Sequence, residues 1–339
     1  MMIRDIVNET IKEKLFPGVL IGLTNSKETL YQEAFGTIDE KRQTTLETLY
    51  DLASLTKVTS TLPACLKLIE KGEIDLFDKV SDYIDFTDND TLIWHLLTHT
   101  SGMPPYSSAY QYKEAREDIL QEIKMEPFKE PAGNHIRYAC LNFILLMEIV
   151  EKVTGNFKEF VYNEIYKPLN MNSTCYLPKD NHNIAPTSQR NGKLLAGEPD
   201  DELAYYLGGV SGNAGIFSNM IDMLSYAREM LNPGKVFSKE IIKTSTRAWT
   251  QQLKGDPRGL GWLGYTRSSS GGSLLSENSF GHTGFTGTSL WIDPENDYAI
   301  VILANRCFYY RHEKIAEMLR FRRRISNRLV SAISRGKQP

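Results

Sequence analysis

The sequence predicts an α+β fold, an antiparallel sheet flanked by N- and C-terminal helices with a mainly helical domain inserted into it. Three observations predict this. Apolar runs of strand length cluster near both ends of the 339 residues. Helical patterns dominate between them, and a long helical pattern closes the chain. Strands at both ends with helices between them read as one sheet interrupted by an insertion. On this reading residues 1–59 and 205–339 form the sheet domain and 60–204 the inserted domain, with the active site between them.

The elements follow in order. Residues 3–15 alternate charged and apolar side chains at helical spacing and are stopped by Pro17-Gly18. Residues 19–25 and 28–35 read as two strands joined through Asn25-Ser26-Lys27, with Gly36 closing the second. From 54 to 72 the pattern is helical, with Leu62, Leu66 and Ile69 on one side, and Pro63 is expected to bend it because proline removes a backbone donor. Further helices are expected at 90–97, 112–124 and 142–154, the last ending before Gly155. The stretch 178–202 is polar and irregular, a rim or lid loop; 207–215 is glycine-rich, and 219–231 is helical. Strands return at 260–266, 287–293 and 298–305, the first followed by a flexible Ser-Gly tract at 268–272. The last two flank the turn-forming Asp293-Pro294-Glu295-Asn296-Asp297, and 311–333 is the final helix.

Composition narrows the function classes. Lys plus Arg total 39 against Asp plus Glu 42, a formal charge of -3, which excludes a protein built mainly around a nucleic-acid backbone. Hydrophobic residues make up 41% and charged ones 24%, enough apolar material for a substantial core and too much for overall disorder. No apolar run approaches the ~18 residues of a membrane span. The amino terminus shows no apolar signal region or small-residue cleavage site, so a cytoplasmic location is expected. Cys65, Cys140, Cys175 and Cys307 are scattered without paired spacing and read as reduced thiols.

Three tracts carry chemistry. Ser54-Leu55-Thr56-Lys57 opens a helix, and positions three apart share a face, so the Lys57 amine can reach the Ser54 hydroxyl. A serine needs a neighbour to accept its proton before it attacks, and a partly buried lysine at a positive helix end is expected to be neutral enough to serve. Alone, this S-x-x-K spacing is a common pattern. Tyr138 stands just before an apolar helix, and Phe280-Gly281-His282-Thr283-Gly284-Phe285-Thr286-Gly287 stands where a late strand begins. In this order the three tracts resemble the serine beta-lactamase and penicillin-binding family, in its branch of class C beta-lactamases, D-alanyl-D-alanine carboxypeptidases and family VIII esterases. The segments PGVLIGL, FGTID, DLASLTK, WHLLTHTSGMP, LGGVSGNAG with IFS, GLGW and GTSLWIDP are similar to that family too, so the resemblance runs from Pro17 to Asn305.

The resemblance implies that Ser54 is acylated, that Lys57 and Tyr138 share proton transfer, and that His282-Thr283-Gly284 is the family's K-T-G strand motif in its histidine form. It implies that substrate lies along that strand beside Gly284, with the backbone N–H groups of Ser54 and Phe285 as oxyanion hole. No cofactor is required. The expected partner is a small-molecule ester, amide or beta-lactam. One departure matters: the family's Y-x-N tract here reads Tyr138-Ala139-Cys140, and a thiol is a poor substitute for an amide that holds both lysine and substrate. This favours a small ester or amide over a D,D-carboxypeptidase or D-aminopeptidase substrate, and over a beta-lactam. Asn213 also replaces a histidine common in relatives. A rival of another class is a non-catalytic module that keeps the pocket and only binds.

Other candidates have plainer readings. His95 and His99 lack ligand-spaced acidic or cysteine partners and read as helix-end packing. Gly209-Val210-Ser211-Gly212 is followed by Asn213 where a nucleophile elbow needs glycine. Trp262 and Tyr265 could line an acyl pocket or pack a strand. The basic tail Arg320, Arg322, Arg323, Arg324, Arg328, Arg335 and Lys337 reads as the solvated side of a helix packed on the sheet through Ile315, Met318, Leu319, Leu329 and Ile333.

Overall fold

The computed structural model describes residues 2–88, 90–179 and 183–336; Lys337 of the basic tail lies outside them. In chain order the strands are β1 (Gly18–Thr24), β2 (Thr29–Gly36), β3 (Tyr50–Asp51), β4 (Cys175–Tyr176), β5 (Gln189–Arg190), β6 (Lys193–Leu194), β7 (Ile216–Ser218), β8 (Leu263–Gly264), β9 (Phe280–Thr283), β10 (Ser289–Asp293) and β11 (Tyr298–Ala304). The main sheet is antiparallel, in the order β2-β1-β11-β10-β9-β8. The two ends of the chain therefore meet at its centre, with Val19 opposite Ala304 and Thr24 opposite Ala299. A second sheet, β3-β7-β4, delivers the chain to the site.

The helices are α1 (Ile3–Lys12), α2 (Leu62–Lys71), α3 (Ile93–Leu97), α4 (Arg116–Lys124), α5 (Cys140–Thr154), α6 (Phe157–Val161), α7 (Glu202–Tyr206), α8 (Met220–Leu231), α9 (Lys239–Thr246) and α10 (Ile315–Ile333). Side chains alternate across a strand, and here the alternation sorts the core into two. Val19, Ile21, Leu23, Ile300 and Ile302 pack with Ile3, Ile6 and Val7 of α1 and Met318, Phe321, Ile325 and Leu329 of α10. On the opposite face Leu20, Leu290, Val301 and Leu303 join α8 and the helices that fill residues 62–169 in one continuous core. Gly22 lets α8 press on β1, since a methyl there would collide with Met220.

Several boundaries differ from the sequence expectation for local reasons. The first helix ends at Lys12, before Pro17, because Lys14 turns left-handed at φ 55°. The expected strand at 260–266 shrinks to Leu263–Gly264. The tract 268–272 is not a free linker: Ser269 and Ser270 are buried, Ser270 Oγ accepts from Trp291 Nε1 at 2.9 Å, and Arg323 donates to the Ser269 carbonyl at 2.9 Å. Among the described residues no helix is long and apolar enough to cross a membrane.

Candidate active site

The site begins where β3 ends. Ala53 is held in the left-handed region at φ 46°, which costs a non-glycine residue on the order of 1 kcal/mol and here turns the chain sharply into Ser54. A 3-10 turn (Ala53–Leu55) and a π-helical turn (Lys57–Thr61) follow before α2 starts. Pro63 therefore falls in the first turn of α2, and the widened turn ahead of it takes up the register change that the sequence reading assigned to a proline bend.

This geometry brings Lys57 Nζ within 3.0 Å of Ser54 Oγ. Lys57 is completely buried. Its nitrogen also donates to the Asn213 carbonyl at 2.9 Å and approaches Cys140 Sγ at 3.6 Å. Three acceptors around one nitrogen match the three protons of an ammonium. Burial acts to lower the Lys57 pKa, but Cys140, Tyr138 and then Asp201 outweigh it and hold it above the ordinary lysine value. That direction runs against the neutral lysine expected from sequence.

Tyr138 arrives from the opposite wall, two residues before α5 begins at Cys140. Its ring centroid lies 5.0 Å from Lys57 Nζ. Burial raises its pKa, while the Lys57 charge and contacts with Lys57 and Ser54 pull the other way. His99, itself left-handed at φ 59°, supports this residue: its ring sits 4.5 Å from the Tyr138 ring and its Nδ1 accepts the Ala139 N–H at 3.2 Å. The Cys140 thiol is likewise pushed up by burial, with the Lys57 charge opposing.

The third wall is the end of β9. His282 is buried, its Nδ1 2.9 Å from the Thr283 carbonyl, its ring 6.0 Å from that of Tyr138. Burial, then the Lys57 and Arg258 charges, push its imidazole well below the ordinary value, so it is neutral. With Nδ1 donating to that carbonyl, Nε2 is left as an acceptor. Gly284 is required by close approach: a methyl would run into Thr288 Oγ1 and the Leu52 carbonyl. Two buried arginines clamp the turn that follows. Arg322 donates to the carbonyls of Gly284 (3.1 Å), Gly287 (3.3 Å) and Thr288 (2.8 Å), and Arg306 donates to that of Phe285 (2.7 Å). The expectation that Arg322 belongs to a solvated side of the last helix is therefore wrong. Its i+3 and i+7 neighbours Ile325 and Leu329 are core residues, which turn it inward.

Ser54 sits between two cavities. One, of about 360 Å³, is lined by Tyr138, Arg258, His282, Thr283, Gly284, Phe285 and Arg322. The other, of about 450 Å³, is lined by Tyr106, Tyr110, Asp200, Asp201, Glu202 and Arg311, with Phe285 shared. The structure thus gathers Ser54, Lys57, Tyr138, Cys140, His282, Thr283, Gly284 and Phe285 around one cleft. It leaves Trp262, fully buried with its ring 5.0 Å from Phe280, as packing. Sequence reasoning missed Arg258, Arg306, Arg322 and His99. His99, in the HLLTHTSG segment, and Arg322, in the basic tail, stood in tracts already singled out, but for other roles. Among the described residues no three metal-ligating side chains come together.

The comparisons with known proteins agree with this architecture. The family model "Beta-lactamase" matches residues 3–321. The chain belongs to the beta-lactamase family. It is a serine hydrolase of that family. A relative named putative D-alanyl-D-alanine carboxypeptidase, from Escherichia coli (strain K12), is 32% identical over 86% of this chain and 79% of its own length. One named N-acetylmuramyl-L-alanine amidase, from Bacillus subtilis (strain 168), is 30% identical over 86% and 77%. The octameric penicillin-binding protein homologue from Pyrococcus abyssi shares the fold, with a TM-score of 0.78 at 22% identity over 99% of this chain and 77% of that one.

Proposed function

We propose that Ser54 is the nucleophile of an acyl-enzyme hydrolase acting on a small ester or amide. The carrying observation is the 3.0 Å contact between Ser54 Oγ and a fully buried Lys57, with Tyr138 beside both. Tyr138, in the phenolate form that the Lys57 ammonium stabilises, accepts the serine proton and becomes the neutral phenol. The same proton then goes to the leaving group, after which water, deprotonated by the same pair, hydrolyses the acyl-serine. The N–H groups of Ser54 and Phe285 hold the oxyanion, a contribution of about 3 kcal/mol per donor in comparable sites. Thr283 and Gly284 present the backbone edge along which substrate lies, and neutral His282 supplies an acceptor through Nε2. Residues 1–59 and 205–339 are proposed as one domain and 60–204 as the other, with the cleft between them.

Cys140 stands at the amide-holding position, which favours the ester. A second reading, a peptide ending in a carboxylate, is favoured by Arg258. This side chain lines the smaller cavity, and its Nε is buried without a hydrogen-bond partner. The names of the carboxypeptidase relatives support the same reading. Turnover of a short p-nitrophenyl ester, nitrocefin and a D-Ala-D-Ala peptide ranks the substrates. Ser54→Ala is expected to lower ester turnover by about 10⁴-fold. A folded variant with undiminished turnover, or ligand-induced thermal stabilisation of the parent chain without any turnover, contradicts the proposal.

A further inference from the structure

The residue just ahead of the Ser54 turn is a carboxylate that, among the described residues, forms no ion pair. Asp51 is buried, and both its oxygens are committed: Oδ1 accepts the Ala53 N–H at 2.8 Å and Oδ2 accepts the Asp200 N–H at 2.8 Å. The first bond holds the strained left-handed residue that aims Ser54. The second holds a loop whose next residue, Asp201, accepts from Asn213 Nδ2 at 3.1 Å, while the Asn213 carbonyl accepts from Lys57 Nζ at 2.9 Å. Lys57 closes the ring on Ser54 at 3.0 Å. The third wall is tied to the same turn, since Thr286 Oγ1 donates to the Asp51 carbonyl at 2.8 Å and Thr288 Oγ1 to that of Leu52 at 3.0 Å.

We infer that Asp51 is a positioning residue for the reaction: one carboxylate fixes the turn that carries the nucleophile and, through Asp200-Asp201 and Asn213, the group that holds Lys57 against it. The inference rests on the Ser54 reading. It goes beyond it by naming what sets the distance between nucleophile and cation, from outside the cleft and without touching substrate.

The carboxylate makes the role visible in pH. Facing Asp51 are the carboxylates of Asp200 and Asp201 on the loop and the Cys307 thiol near the end of the sheet. Arg311 reaches Asp200 at 3.0 Å rather than Asp51. Burial, helped by those carboxylates and opposed by the two N–H bonds, pushes Asp51 up to about 7. The ionised form, the one that accepts both N–H bonds, is full above that pH and is lost as pH falls through it. His282 does not confuse the limb, because it titrates well below the ordinary histidine range.

The test compares the full chain with Asp51→Asn, which keeps one acceptor and turns the other into a donor facing the Asp200 N–H. Three quantities are read from pH 5.5 to 8.5: kcat and KM for a p-nitrophenyl ester, and the rate at which a fluorophosphonate labels Ser54. The expected result is a kcat lower by about thirtyfold, KM within twofold, labelling slowed in proportion, and an acid limb near pH 7 present in the parent and gone in the variant. A folded variant that labels and turns over like the parent overturns the inference alone. A parent that takes no label on Ser54 overturns the serine reading and this inference together. If the variant does not fold, the parent profile decides: a limb near pH 7 supports the inference, and a kcat flat down to pH 5.5 overturns it.

Discussion

Gly284→Ala tests the claim that the end of β9 and the Ser54 turn must touch backbone to backbone. The added methyl would sit inside contact distance of two oxygens, Thr288 Oγ1 and the Leu52 carbonyl. Non-bonded carbon contacts settle at roughly 3.5 Å, and both oxygens fall inside that by an ångström or more. Thr288 can swing its hydroxyl away at the cost of its 3.0 Å bond to Leu52. The Leu52 carbonyl cannot move, because it is the backbone two residues before the nucleophile. The turn carrying the Phe285 N–H therefore backs away from Ser54 by roughly 1 Å, and a misplacement of that size costs about a hundredfold in rate. Overpacking should also cost about 1–3 kcal/mol of stability. The assay is kcat on a p-nitrophenyl ester with thermal unfolding in parallel. Because the carbonyl clash survives removal of the hydroxyl, Gly284→Ala with Thr288→Ala should recover little. A Gly284→Ala chain within threefold of the parent kcat refutes the argument.

Two more expectations concern specificity. Cys140→Asn puts an amide where the thiol now lies 3.6 Å from Lys57 Nζ and should raise amide relative to ester turnover about fivefold, the worth of one hydrogen bond; an unchanged ratio removes Cys140 from the specificity argument. Arg258→Ala should lower the preference for a substrate bearing a carboxylate over its neutral ester about tenfold, measured as the ratio of kcat/KM values, and equal losses on both would show that Arg258 only packs against Tyr138.

What was legible in the sequence follows from range. The strands around the centre of the sheet are unbroken apolar runs, GVLIGL and YAIVILA, so their pattern announces them. The Ser54–Lys57 spacing is local, and motif order pointed to Tyr138 and His282. The direction of the lysine's shift was not legible, because it is set by Cys140, Tyr138 and Asp201, which reach it from distant parts of the chain. Arg322 looked like one more cation of a basic tail, since nothing in a single helix reveals that its guanidinium will be spent on three carbonyls of a distant turn. Asp51 was invisible as well, because its second partner, Asp200, lies 149 residues further along the chain.

The central claim is that turnover passes through an ester on one serine. The most direct measurement is peptide-mapped mass spectrometry of the chain quenched during turnover of a short acyl ester. The acyl mass should appear on the peptide carrying Ser54 in the parent and be absent in Ser54→Ala. Turnover without an adduct there, or an adduct on another residue that survives in Ser54→Ala, contradicts it.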